Sequence, residues 1–535
     1  MAGGDAPLLI QGVRFFLIKL FEDTPPTEST DVWGYFFDPS APRHISNKPW
    51  GLIVYPYPAA PLKVVIVGGG PTGLVAAITL AEKAGRNIEV HVYERRCEEN
   101  AGTLFFTYHS VHARRRDQVV TLQDGVTELL SKRTQLRLFQ DDQERVWPGS
   151  SNLQTEKIED RLLNRAQDTE FKGIIHIHAK FMTTELLKEH GDFHLLLGAD
   201  GTRSFVQKEY FGAEERKYGW ILVLNVGIDR RQPLLRSQHL DMALTLAQTR
   251  YQLNASYKDG KACLNMHLTS AEWEKIRRVD GVHCNIETPG YLRTQNRLPQ
   301  DFTPYKVFEP SLDSNNELWI AILDGLKLYG LEEGDVTSIS RVLIKVRGMD
   351  KVVKSLPRSE FKLLRRPNYQ VSLAGDAALT HHFWPGRGMN SGIKSAVAWA
   401  DEVVQSLEEN RLVYLRPEAL KAYEDFLNKL AERENDHIST GIPEKLADML
   451  EKAKSPPDGD DAMDRMIYKT KNAWDLLESR GVGDPMSLLS ERGVKQILSQ
   501  VSPLTLRQMD LTGEWPPMLG DEVRPPRCLN NLDRD

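Results

Sequence analysis

Hydrophobic patterning divides the chain into regions of different texture. From Leu62, the stretch "LKVVIVGGGPTGLVAAITLAEKAGRNIEVHVYERR" runs from a β-branched segment, through glycines, into an Ala/Leu-rich helical period and out to a second β-branched segment. This is a strand-helix-strand unit written in full. Residues 1–61 are rich in Pro, aromatic and turn residues, sustain neither a 3.6 nor a 2.0 period, and read as an extension outside the first domain. Helical patterns at "QDGVTELLSK" and "KIEDRLLNRAQ" flank "LRLFQDDQERVW", which predicts a hairpin or edge strand. "FHLLLGADGTRS" repeats the design of an apolar run ending in a tight Asp-Gly turn.

From 214 to 364 the pattern changes to segments such as "YGWILVLNVGID", "RYQLNASY", "ACLNMHL" and "ELWIAILDG", which predict a mostly β region forming one wall of a pocket. "VSLAGDAALTHHFWPGRGMNSGIKSA" then predicts a strand, a glycine-punctuated loop and a helix that continues through "SAVAWADEVVQSLEEN". Beyond Pro417 charged amphipathic helical patterns dominate, interrupted by "KSPPDGDD", and no repeat of solenoid period is present. The predicted fold is α/β: an extension (1–61), a Rossmann-like domain in two parts (62–213 and 365–410), an inserted mostly-β domain (214–364) and a helical carboxy-terminal region (411–535).

Composition narrows the class. With 535 residues, 41% hydrophobic and 27% charged, the chain reads as a globular protein too long for one core of usual size. A net charge of -6, from 68 basic and 74 acidic residues, gives no electrostatic case for a nucleic-acid partner. Cys97, Cys263, Cys284 and Cys528 lack CxxC spacing, which argues against a disulfide framework or structural zinc and fits a reducing, cytoplasmic setting with no metal expected. The segment "PLLIQGVRFFLIKLF" is broken by Gln11, Arg14 and Lys19, lacks a basic leader and cleavage site, and is too short to span a membrane. Its Leu and Phe residues leave peripheral membrane contact open, while packing on the main body is the favoured reading.

The chemistry begins at Gly68, Gly70 and Gly73, spaced GxGxxG between a strand and a helix. Such glycines allow a tight turn, close backbone approach to a pyrophosphate, and close helix-strand packing, while the helix amino terminus offers free N–H groups to phosphate. Glu94 supplies the acid expected about 20 residues on, placed to accept hydrogen bonds from an adenosine ribose. This motif does not choose between a nicotinamide and a flavin dinucleotide. A flavin also needs its ribityl chain and second phosphate held by distant segments, for which "GADGTRS" (Asp200, Gly201) and "AGDAALTHHFWPGRGMNSG" (Asp376) are candidates.

Together, in this order, the motifs resemble the group A FAD-dependent monooxygenases of the para-hydroxybenzoate hydroxylase type, over roughly residues 62–410. The family's DGxxSxVR is matched by Asp200, Gly201, Ser204 and Val206, with Gln207 where arginine usually stands. Its Gly-Asp, glycine and Asn pattern is matched by Gly375, Asp376, Gly388, Asn390 and Gly392. The resemblance implies a glutathione-reductase-type FAD domain in which Asp376 binds a ribityl hydroxyl and the backbone from Gly386 to Asn390 lies against the flavin ring. Asp200 and Gly201 would support the pyrophosphate region. "ERRCEENAGTLFFTYHSVHARRRDQVV" and "FWP" are also similar to the MICAL monooxygenase domain, which assigns Glu94, Arg96, Arg116 and Gln118 to FAD. An arginine beside a pyrophosphate is physically sensible, being always charged and able to donate two parallel hydrogen bonds.

The implied activity is an NAD(P)H- and O2-dependent hydroxylation or epoxidation of a hydrophobic, electron-rich organic substrate through a C4a-hydroperoxyflavin, as in natural-product metabolism. No separate nicotinamide-binding motif is visible. His381 and His382 are the titratable candidates nearest the flavin, with packing within the loop as their alternative role. Leu379 stands where the family has histidine, and neither calponin-homology nor LIM segments can be read, so the actin chemistry of full MICAL proteins does not transfer. The alternatives are an FAD-dependent reductase or dehydrogenase acting on an alkene, and a non-catalytic protein that kept the fold. Neither the substrate nor the oligomeric state is legible.

Overall fold

The computed structural model describes residues 15–17, 54–56, 61–100, 103, 105–109, 118–140, 144–147, 150–190, 193–212, 215–230, 238–257, 260–275, 317–357, 368–381, 387–410, 418, 420–436, 442–455, 461–479, 490–514 and 523–526. Strands β1 (Phe15–Leu17), within "PLLIQGVRFFLIKLF", and β2 (Val54–Pro56) pair antiparallel. The predicted strand-helix-strand unit is β3 (Leu62–Val67), α1 (Pro71–Ala84) and β4 (Ile88–Tyr93). The hairpin β5 (Cys97–Asn100) and β6 (Phe105–Tyr108) follows, then β7 (Val119–Gln123), α2 (Asp124–Thr127), α3 (Lys132–Phe139), β8 (Glu144–Trp147) and β9 (Ser150–Gln154). Helix α4 (Thr155–Ala166), β10 (Ile175–His178), α5 (Thr184–His190) and β11 (Leu195–Gly198) complete this part. The hairpin predicted over "LRLFQDDQERVW" is corrected: its first residues close α3, which starts where the Ser131 side chain accepts from Thr134 N at 3.2 Å. Its second half is β8.

The insert contains β12 (Glu215–Asp229), α6 (Gln238–Leu246), β13 (Tyr251–Ala255), β14 (Lys261–His267), α7 (Ser270–Glu274), α8 (Glu317–Leu328) and β15 (Val336–Met349). The chain returns through β16 (Val353–Pro357), β17 (Asn368–Leu373), β18 (Leu379–Thr380) and α9 (Arg387–Asn410). Helices α10 (Lys421–Asp436), α11 (Ile442–Lys454), α12 (Ala462–Ser479), α13 (Glu491–Leu498) and α14 (Pro503–Thr512) finish it. "ELWIAILDG", expected as a strand, is instead helix α8: Leu318, Trp319, Ala321, Ile322 and Leu326 are buried at helical spacing against the sheet. A short apolar run fits either element, and here the packing partner decides.

The first sheet has the order β10-β4-β3-β11-β17-β16, parallel except for β16. Residues 353–357, within the 214–364 stretch, thus pair into it. Its centre is apolar on both faces, as a covered parallel sheet requires: Val64, Val65 and Ile66 are all buried. Helix α1 packs against α9 and buries Leu74, Val75, Ile78 and Leu80 among its alanines. At about 1.5–3 kcal/mol per fully buried side chain, those four give roughly 6–12 kcal/mol before entropy is counted.

The second sheet, order β13-β14-β12-β15-β18, carries the insert. One face is covered by α8 and by carboxy-terminal residues, with Met466, Ile467, Val494, Leu498, Leu506 and Met509 in the same core as Leu224, Leu264 and Met266. Asp324 of α8 accepts from Ser502 Oγ at 2.5 Å and Thr505 Oγ1 at 2.7 Å, capping α14. Helix α10 belongs instead to the first core, where Tyr423 donates to the Leu373 carbonyl at 2.5 Å. The helical carboxy-terminal part is therefore structural to both sheets. Among the described residues, no helix is long and apolar enough to cross a membrane.

Candidate functional site

Three distant segments meet at the carboxyl ends of β3, β11 and β17, adjacent parallel strands of the first sheet. Ligands of open α/β sheets bind at such strand ends. Gly68 has φ +106°, and a Cβ there would come within 2.7 Å of Asp200 Cα, so the first glycine turn lies directly against the Asp-Gly turn. Such a φ lies in the region that favours glycine. A Cβ on Gly73 would overlap the Gly68 carbonyl oxygen and sit 3.2 Å from Ile66 Cγ2, which is why α1 can pack so close to β3. Gly375 and Gly392 both close on Thr72 in the first turn of α1, and Gly388 lies beside the Asp376 carboxylate, 3.6 Å from its Oδ1 to an added Cβ.

Gly70 differs from these. Its backbone is extended, and the nearest atom to an added Cβ is Arg96 Nη2 at 3.8 Å. The space over Gly70 is thus left open by the described residues, bordered by a guanidinium and the amino terminus of α1, an arrangement that suits an anion. Gly201 (φ +79°) has nothing within 4 Å of an added Cβ among the described residues. Beside it Asp200 accepts from Phe205 N at 2.6 Å through Oδ2, while its buried Oδ1 has no partner among the described residues. Burial pushes the Asp200 carboxyl up and the charge of Glu94 adds to this, against the bonds from Ser204 and Phe205 N.

Glu94, at the end of β4, is buried and fully engaged. Its Oε1 accepts from Arg96 N (2.9 Å) and Nε (3.2 Å), its Oε2 from Gly69 N (3.1 Å) and Arg96 Nη2 (3.1 Å). A carboxylate offers about four such sites. A ribose taking this position must therefore displace part of the Arg96 contact. Arg96 also donates to Glu159 of α4 at 2.8 Å, and its guanidinium lies over the Tyr108 ring at 5.1 Å. Burial alone would weaken the Arg96 charge, but the two carboxylates outweigh it and hold the group protonated. Tyr108 donates to the Gly69 carbonyl at 2.5 Å, and burial lifts its hydroxyl well above the ordinary value. Glu159, Tyr108 and Thr72 were not among the residues predicted; long-range packing brings Glu159 and Tyr108 here, whereas Thr72 lies within the glycine motif itself.

The remaining predicted residues have distinct fates. Asn390 is buried and uses its side chain as a clamp: Oδ1 accepts from Gln123 N at 3.1 Å and Nδ2 donates to the Thr121 carbonyl at 2.8 Å, tying α9 to β7. The Gln118 carbonyl accepts from Thr155 N at 2.9 Å and Oγ1 at 3.0 Å at the start of α4. His381 is buried directly after β18, whose Thr380 Oγ1 donates to the Lys345 carbonyl at 2.6 Å. Arg116, His382 and Gly386 lie outside the described residues. At the departure Gln207, a cation arrives from elsewhere: Arg347 of β15 donates to Gln207 Oε1 at 3.2 Å and to Glu215 at 2.8 Å, and also to the Thr202 carbonyl. Among the described residues no group of three or more His, Cys, Asp or Glu side chains is arranged to hold a metal ion.

Residues 66–127 match the family model described as an NAD(P)-binding Rossmann-like domain. No curated protein matches the sequence. Among solved structures, the chain is similar to the tetracycline destructase Tet(51), with 12% identity over 79% of this chain and 100% of that one and a TM-score of 0.38. It is similar also to a Tyr-to-Ala mutant of 2-methyl-3-hydroxypyridine-5-carboxylic acid oxygenase (14% identity, 77% and 99% covered, TM-score 0.42). A third is OxyS anhydrotetracycline hydroxylase from Streptomyces rimosus (16% identity, 80% and 78% covered, TM-score 0.40).

Proposed function

We propose that the chain is an FAD-dependent, NAD(P)H-using monooxygenase acting on a hydrophobic, electron-rich organic molecule, of the group A kind with MICAL-like features around Glu94 and Arg96. The observation that carries this reading is the meeting of the three segments: the open cradle at Gly70, the Asp200–Gly201 turn and the Asp376–Gly388 contact share one strand-end crevice. A nicotinamide dinucleotide alone would leave the third segment without a task. The unpaired Asp200 Oδ1 and the uncovered Gly70 and Gly201 fit a long phosphate-bearing cofactor. FAD bound there would supply the redox and oxygen-activating chemistry, with NAD(P)H and O2 as co-substrates.

The chain's own residues have narrower tasks. Gly70 and the start of α1 would bind the pyrophosphate, with Arg96 beside it and Glu159 holding Arg96 in reach. Glu94 would orient the ribose hydroxyls, and Asp376 a ribityl hydroxyl. The glycines through Gly388, and the backbone up to Asn390, would let the ring lie against the start of α9, whose N–H groups favour negative charge. The buried surroundings of His381 would exclude water, and its imidazole is the candidate for moving a proton at the substrate. The test is oxygen uptake by the purified protein with NADPH. Uptake that increases with an aromatic or alkene substrate, with one oxygen atom incorporated into product, supports the reading; reduction of an alkene without oxygen uptake would replace it by a reductase.

A further inference from the structure

A buried polar layer lies between two sheets beside this crevice, and the dinucleotide site does not use it. On one side β9 alternates, sending Leu153 into the first core and Ser150, Asn152 and Gln154 toward the insert. On the other, β12, β13 and β14 send Leu224, Tyr251 and Leu264 into the helix-covered core, leaving Asn225, Gln252, Cys263 and Asn265 on the opposite face. The sheets meet where Asn152 Nδ2 donates to the Ala255 carbonyl at 2.8 Å and Glu144 accepts from Ser256 Oγ at 3.0 Å and Tyr257 N at 2.7 Å. Asn225 Nδ2 donates to Asn265 Oδ1 at 2.6 Å, and Thr121 Oγ1 to Asn152 Oδ1 at 2.7 Å. Thr121 belongs to the strand that Asn390 clamps to α9, so the layer adjoins the glycine loop.

Three polar atoms in this layer have no partner among the described residues: Ser150 Oγ, Gln154 Nε2 and Gln252 Oε1. Their residues are only 3%, 3% and 2% exposed. Buried polar groups are ordinarily paired, so these mark where a partner sits. They offer a donor, an acceptor and a hydroxyl that can be either. The nearest buried charge is balanced: Arg250, on the same face as Gln252, gives both Nη atoms to Glu272 and keeps only its Nε without a partner among the described residues, while Lys261 lies in register with Asp229 at the start of β14. Glu144 places a carboxylate at the margin.

We propose that this layer seats the polar edge of the substrate and selects a neutral molecule carrying both hydrogen-bond donors and acceptors, an amide or lactam edge on an apolar body, against a carboxylate. The inference rests on the monooxygenase reading for the site's use and on the unpaired atoms for its chemistry. Salicylamide and salicylate, probes of one size that differ in charge, test it by calorimetric titration of the purified protein as isolated. The amide is expected to bind at least about tenfold tighter, the worth of one well-made hydrogen bond. Gln252→Leu should erase most of that preference. Ser150→Ala, a smaller change that leaves the strand intact, should reduce it.

Equal or tighter binding of salicylate, no binding of either probe, or a preference that survives both substitutions overturns the proposal. Flavin content, read on the same samples by absorbance, keeps the two readings apart. A protein that stays colourless after incubation with excess FAD and still prefers the amide would end the flavin reading and leave this one standing; a yellow protein indifferent to charge would do the reverse.

Discussion

Gly70→Ala separates a glycine that serves a ligand from one that serves the fold. Gly70 occupies the amino cap of α1 with extended backbone, and among the described residues an added Cβ meets nothing nearer than Arg96 Nη2 at 3.8 Å. Alanine there should cost the protein without cofactor less than about 1 kcal/mol, the scale of a weakened helix cap. A phosphate in the cradle would meet the new methyl group, losing at least one charge-assisted hydrogen bond of about 1.5–3 kcal/mol, or roughly tenfold to a hundredfold in affinity. Gly73→Ala is the counterpart. Its Cβ would overlap the Gly68 carbonyl oxygen and approach Ile66 Cγ2 at 3.2 Å, so α1 must move off β3, at a cost of about 1–3 kcal/mol or more. Melting of the cofactor-free protein and FAD titration by quenching of flavin fluorescence read both effects. If Gly70→Ala binds FAD like the parent, or destabilises as much as Gly73→Ala, the assignment of the cradle is wrong.

Other outcomes follow from the same geometry. Asn390→Ala removes two hydrogen bonds to half-buried backbone groups of β7, and should cost about 1–3 kcal/mol in denaturant unfolding. His381→Gln should lower the rate of product formation at saturating substrate while leaving FAD binding unchanged; an unchanged rate would leave His381 a packing residue. At the edge of the first sheet His91, His176, His178 and His190 cluster with Glu89, Tyr93 and Lys63, His91 Nδ1 lying 3.0 Å from His178 Nε2. Burial and then the neighbouring His190 lower both His91 and His178 to about 4. The folded state resists their protonation, so their contribution is complete above about pH 6.5 and is lost as pH falls toward 4. Discounted for partial exposure, this is on the order of 1 kcal/mol each, and melting between pH 7 and 4.5 should flatten in His91→Gln.

What the sequence disclosed was what short spacing encodes. Gly68, Gly70, Gly73 and Glu94 lie within one strand-helix-strand unit, and the structure places them as that unit requires. The Asp200 and Asp376 turns were legible because each follows an apolar strand. Glu159, Tyr108 and Arg347 were not, since each reaches its place through pairing between distant elements and carries no local signal. Helix α8 was misread because nine apolar-rich residues fit either period until a sheet face supplies the partner. The carboxy-terminal helices showed amphipathic patterns whose target was invisible: one packs on the first core, others complete the second.

The central claim is that the crevice at the ends of β3, β11 and β17 holds FAD. The most direct measurement is the flavin released on denaturing the purified protein, after incubation with excess FAD and removal of the unbound cofactor. The account predicts one FAD per chain. A folded protein that retains none, while binding NAD(P) in its place, would contradict it.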